Sequence, residues 1–139
     1  MIVLDTNVIS ELMRPEPDAK VVAWANTQDR QALFTTSITA AEVASGIERM
    51  PDGKRRRDLT RLMRLMFEEG LRDRILPFDT SCAFQYAKVS AHRRAIGRRI
   101  KDFDAMIIAT CAKRGFKFAT RSVADFTGCG VEVINPWTD

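Results

Sequence analysis

Side chains able to do chemistry gather in four short stretches of this 139-residue chain. They are Asp5-Thr6-Asn7, Thr36-Ser37-Ile38-Thr39 with Glu42 beyond it, Lys101-Asp102-Phe103-Asp104, and Thr120-Arg121-Ser122 with Asp125 beyond it. Carboxylates facing one cleft repel one another, and staying ionised there requires counter-charge. An oxygen-only donor set suits Mg²⁺ or Mn²⁺ rather than zinc. Such an ion activates water and stabilises charge on a phosphodiester, so the reaction class is metal-dependent phosphodiester hydrolysis. Each acid also has a structural reading. Thr39-Ala40-Ala41-Glu42 has the form of a capping box, and Ser122-Val123-Ala124-Asp125 resembles one. Asp102 and Asp104 suit a helix's first turn, where the macrodipole favours acids. Asp5 or Thr6 suits an N-cap. Capping and metal binding are compatible, and the spacing alone decides neither.

The elements that must position these residues follow from the apolar pattern. Five short runs read as strands: Ile2–Asp5, Ala32–Thr35, Ile75–Phe78, Lys117–Ala119 and Val131–Ile134. Helical spacing marks Val8–Met13, Ala19–Ala25, Ala40–Met50, a segment through Leu59, Leu62, Met63, Met66 and Phe67, Ala83 to about Ile100, and Phe103–Ala112. A short helix is expected over Val123–Phe126. Strands alternating with helices predict an α/β domain with a mainly parallel sheet. In such sheets ligands bind beyond the carboxyl ends of the strands. The four polar stretches fall at those ends or at the start of the following helices.

Other classes are excluded. None of the seven glycines lies in the first strand-to-helix turn, so neither a dinucleotide fingerprint nor a P-loop is present. No apolar run approaches the roughly 18 residues of a membrane helix. The opening Met-Ile-Val-Leu-Asp turns acidic too soon for a signal peptide. Three widely spaced cysteines, Cys82, Cys111 and Cys129, argue against a disulfide scaffold or zinc site and for a reducing, cytoplasmic setting. A single histidine, His92, leaves little for a histidine-based metal site. Net charge is +4, distributed as −3 over residues 1–50, +8 over 51–101 and −1 over 102–139. A basic middle between acidic ends suits a polyanion approaching carboxylates, although helix solvation explains it equally simply.

Ile2-Val3-Leu4-Asp5-Thr6-Asn7-Val8-Ile9-Ser10 resembles the N-terminus of PIN-domain ribonucleases of the VapC/FitB-like toxin group. Four further segments match that group in order: Ser37–Glu42, Arg74–Phe78, Asp104–Thr110 and Ala119–Phe126. Asn135-Pro136-Trp137 fits the FitB-like branch. The resemblance spans essentially the whole chain as one domain, residues 1–139. It implies a five-stranded parallel sheet flanked by helices and an acidic cleft binding Mg²⁺ or Mn²⁺. It further implies RNA cleavage restrained by a cognate antitoxin, with a homodimer or higher assembly.

Carried over by position, Asp5, Glu42 and Asp104 match the catalytic and metal-binding acids, Glu42 acting directly or through water. Thr6 and Asn7 match the residues supporting the first acid. The group often has Asp or Asn where this chain has Ser122, so either Ser122 or Asp125 completes the site. Asp102 reads as a cap or an outer supporting group. The basic residues Arg55, Arg56 and Arg57, and Arg93, Arg94, Arg98 and Arg99, are candidates for RNA backbone contact. The Met- and Phe-rich stretch from Leu62 to Phe67 reads first as core, with dimerisation or antitoxin binding as the alternative. A competing function is a non-enzymatic nucleic-acid-binding subunit acting with an antitoxin in operon autoregulation.

Overall fold

The computed structural model describes residues 1–139. Five parallel strands form one sheet in the order β3-β2-β1-β4-β5: β1 Ile2–Leu4, β2 Leu33–Thr36, β3 Ile75–Leu76, β4 Lys117–Ala119 and β5 Val133–Ile134. The first strand in sequence is central, which is why Ile2, Val3 and Leu4 are all apolar and buried. Alternation along it splits the core in two. Ile2 and Leu4 pack with Val8, Ile9, Val21, Val43 and Ile47 on one face. Val3 packs with Val89, Ile107, Ile108, Phe118 and Phe126 on the other.

The first face is covered by α1 Thr6–Leu12, α2 Ala19–Thr27, α3 Ser37–Glu48 and α4 Lys54–Arg64, and the second by α5 Thr80–Ala95 and α6 Asp102–Arg114. The α4 helix runs on into a wider turn at Leu65–Gly70. Leu62, Met63 and Met66 pack against the first cluster and Phe67 is buried, so the inner side of this stretch is core, while Leu65 is exposed.

Two boundaries differ from the sequence reading in ways that matter for the site. The α3 helix starts at Ser37 rather than Ala40, because the Thr36 hydroxyl accepts from the Thr39 amide at 3.1 Å and caps it. Glu42 is therefore the sixth helical residue and not part of a capping box. The α5 helix stops at Ala95 rather than near Ile100 because Gly97 takes a left-handed φ of 72°. Arg98 and Arg99 thus lie in the loop that leads to α6.

Candidate functional site

Asp5 follows β1 directly and caps α1. Its Oδ1 accepts from the Thr6 amide at 2.7 Å. Its Oδ2 accepts from the Thr120 hydroxyl at 2.7 Å. The parallel register Leu4 to Ala119 places the next residues, Asp5 and Thr120, side by side beyond the sheet. The sequence places Thr120 in one of the four polar stretches but gives it no role at Asp5. Its position one residue past β4 was the available signal, since two strands that pair in register present their next residues together.

Asn7, in the first turn of α1, bridges to the same loop. Its Nδ2 donates to Thr120 Oγ1 at 3.2 Å and to Ser122 Oγ at 3.4 Å, and its Oδ1 accepts from the Arg121 amide at 3.3 Å. Thr6 reaches the other way. Its hydroxyl donates to Glu42 Oε1 at 2.8 Å, which ties the start of α1 to the middle of α3. Asp104 enters from the first turn of α6.

Asp5, Glu42 and Asp104 line one cleft of about 410 Å³, together with Thr6, Asn7, Ser10, Lys101, Ser122, Asp125 and Phe126. Nine of its ten lining residues are polar or charged, Phe126 being the exception. Burial pushes the Asp5 carboxyl up to about 6, against the Thr120 and Thr6 hydrogen bonds, and the charges of Asp104 and Glu42 push the same way. Asp104 is also raised, first by burial and then by Glu42, with Asp125 adding and Lys101 opposing. The carboxylates feel one another, and the cleft carries the excess of negative charge expected of a cation site.

Ser122 and Asp125 both line the cleft, so the sequence alternative between them does not arise as a choice of one. Ser122 makes no side-chain cap bond, and its carbonyl accepts instead from the Asp125 amide at 3.0 Å. Asp102 is not in the cleft. It opens α6 after the cap residue Lys101 and accepts from the Tyr86 hydroxyl at 3.0 Å, joining α6 to α5. Cys111 is buried and its thiol is pushed up to about 12 by that burial, which removes it as a nucleophile.

Two arginines expected on the RNA-facing surface are structural. Arg93 is 3% exposed. Its guanidinium donates to the carbonyls of Arg98, Asp125 and Thr127 at 2.6, 2.9 and 2.8 Å, leaving it no access to a phosphate. Arg56 is half-buried and pairs with Glu48 and Asp52 at 2.8 Å, pinned across the α3–α4 turn. Arg55, Arg57, Arg94, Arg98 and Arg99 are exposed. Arg55 also lines a neighbouring groove of about 770 Å³ between α1, α3 and α4, which shares Thr6, Ser10 and Glu42 with the cleft.

No three Asp, Glu, His or Cys side chains converge into a ready-made metal cage. The donor chemistry nonetheless fits Mg²⁺ or Mn²⁺. Both are hard ions met here by oxygen alone, and Mg²⁺ keeps several of its waters and takes one or two carboxylates directly. Asp5 and Asp104 are the carboxylates with raised proton affinity at the cleft, with Glu42 and Asp125 beside them.

The PIN-domain family model matches residues 2–122. The chain is 42% identical over 137 residues to VapC ribonuclease Y4jK of Sinorhizobium fredii, covering 99% of this chain and 98% of that protein. It is 36% identical to toxin FitB of Neisseria gonorrhoeae over the full length of both. The structure of FitAB bound to an IR36 DNA fragment superposes with a TM-score of 0.93 at 36% identity, covering 100% of this chain and 97% of that one. With its five-stranded parallel sheet and its near-complete match to these relatives, the chain belongs to the PIN-domain family, in the VapC/FitB-like group.

Proposed function

We propose that this protein is the toxin of a type II toxin–antitoxin pair and acts as an Mg²⁺- or Mn²⁺-dependent endoribonuclease. The observation that carries the reading is that Asp5, Glu42 and Asp104, from three separate elements, line one cleft, where the charge of Glu42 raises both Asp5 and Asp104. The VapC ribonuclease and FitB relatives support it, as does the shared fold with toxin–antitoxin complexes.

Asp5 and Asp104 would hold the ion, Glu42 would join them directly or through water, and Asp125 would add negative charge at the same rim. A bound divalent ion supplies an activated water and neutralises charge on the phosphate. The protein's own contribution is orientation. Thr120 and the Thr6 amide fix both oxygens of Asp5, and the Thr6 hydroxyl aims Glu42. Asn7 and Ser122 hold the loop that brings Asp125 to the cleft. An antitoxin partner, a homodimeric or larger assembly and a cytoplasmic setting complete the proposal. No helix is long and apolar enough to cross a membrane.

The test is cleavage of total cellular RNA by purified, antitoxin-free protein, mapped by end sequencing. The reactions contain Mg²⁺, Mn²⁺ or EDTA, with Asp5→Asn and Asp104→Asn as controls. Discrete cuts that need metal and vanish in both folded variants support the reading. Full activity in either variant sinks it. Folded protein that cleaves nothing with either metal favours a binding subunit that acts with an antitoxin on DNA.

A further inference from the structure

An acidic cleft repels the polyanion it is proposed to cut, so cations must border it. Several arginines are already committed. Arg56 is paired to Glu48 and Asp52, Arg93 is buried against carbonyls, and Arg74 donates to the Arg30, Leu33 and Gly70 carbonyls. Lys101 lines the cleft, where its charge opposes the rise of the Asp104 carboxyl.

Arg121 is different. It stands between Thr120, which holds Asp5, and Ser122, which lines the cleft. Its amide is fixed by Asn7 Oδ1. Its side chain is exposed and forms none of the chain's ion pairs. The guanidinium carbon instead lies over the Trp137 ring, 5.2 Å from its centroid, within cation–π range. Trp137 is itself anchored, packing against the first core cluster, with its amide donating to Asn135 Oδ1 at 3.0 Å. A long flexible cation, borne on the loop between Thr120 and Ser122, is thereby restrained with its donors unspent. Restraint of that kind lowers the entropy lost when a ligand is bound, and a planar fork matches a phosphate's two oxygens.

We propose that Arg121, restrained by Trp137, is a contact for a backbone phosphate of single-stranded RNA beside the cleft. The inference rests on the nuclease reading for its substrate class. It is tested apart from cleavage, by binding in EDTA.

The experiment measures fluorescence anisotropy of a labelled single-stranded RNA oligonucleotide with wild-type protein, Arg121→Gln, Arg121→Lys and Trp137→Leu, across a salt series in EDTA. Arg121→Gln is expected to bind about tenfold more weakly at low salt. Its log–log salt slope should be shallower by about 0.7, the value of one phosphate on a single strand. Trp137→Leu and Arg121→Lys keep the charge, so they should weaken binding while the slope stays near wild type. Wild-type slope and affinity in Arg121→Gln overturn the inference, as does a Trp137→Leu protein that loses thermal stability with unchanged RNA affinity. The latter would make the pair a tether for the C-terminal turn. Wild-type protein that cleaves RNA with metal but does not bind it in EDTA also overturns the inference while leaving the nuclease reading intact. Arg121-dependent binding without any metal-dependent cleavage does the reverse.

Discussion

Thr120 and Asp5 lie 115 residues apart in sequence, yet the Thr120 hydroxyl donates to Asp5 Oδ2 at 2.7 Å with both residues buried. That bond works against burial, which raises the Asp5 carboxyl to about 6. Thr120→Val keeps the shape and removes the donor. The Asp5 carboxyl should then titrate above its present value of about 6, and the proton-limited arm of RNA cleavage should move to higher pH. Asn7 and the Ser122 amide also lose their acceptor, at a cost of about 1–2 kcal/mol. A ¹³C-detected carboxyl titration of metal-free protein checks this. An unmoved Asp5 resonance would show that the hydroxyl does not hold the carboxylate.

The same burial sets a pH dependence of stability. The folded chain holds the Asp5 proton up to about pH 6, whereas a free aspartate carboxyl titrates near 3.8. The native state therefore binds more protons between those values, and stability falls as pH rises through that window. About two pKa units correspond to roughly 3 kcal/mol at most. Asp5→Asn removes the charge, so the metal-free variant should be more stable than wild type at pH 7.5 by up to that amount, while cleaving no RNA. At pH 3.5 the difference should vanish. Urea unfolding at the two pH values measures both. An Asp5→Asn protein less stable than wild type at pH 7.5 would mean the carboxylate is not under strain.

Local rules explain what the sequence revealed and what it hid. The apolar run Ile2-Val3-Leu4 reads as a strand buried on both faces, and polar residues after the first and fourth strands line the cleft. Asp5, Glu42 and Asp104 were singled out by the resemblance, because spacing alone left each of them a capping role. Thr120 stood in view at a strand end without a role, because its partner Asp5 is set by strand register, a non-local quantity. The exposure of arginines was equally hidden. Arg93 and Arg94 are adjacent with identical chemistry, yet α5 buries one and exposes the other. The Ser122 and Asp125 alternative stayed open because a short helical turn at Val123–Phe126 brings both side chains to one wall.

The start of α3 separates a cap from a site residue. Thr36 accepts from the Thr39 amide, whereas Glu42 faces Thr6. Thr36→Ala should cost about 1 kcal/mol of stability. Glu42→Gln keeps an acceptor for the Thr6 hydroxyl and should leave stability within about 0.5 kcal/mol of wild type. Its RNA cleavage should nevertheless fall by at least about a hundredfold, the scale of losing a group that positions water or metal. Parallel melting and cleavage assays decide it. Equal destabilisation by both substitutions would return Glu42 to a purely structural role.

Arg93 braces the wall that carries Asp125. One guanidinium satisfies the carbonyls of Arg98, Asp125 and Thr127, which joins the loop before α6 to the loop after β4. Arg93→Met leaves three partly exposed acceptors without their donor, so a loss of about 1–3 kcal/mol in total is expected. Arg93→Lys retains the charge but not the fork, and should fall between wild type and Met. Arg94→Gln, on the exposed side of the same helix turn, should change stability by no more than about 0.5 kcal/mol. Amide hydrogen exchange adds the local readout. In Arg93→Lys the amides of Phe126 to Cys129 should exchange faster while those of β1 keep their protection. Uniform change across both segments would mean that Arg93 supports the whole domain rather than the wall of the cleft.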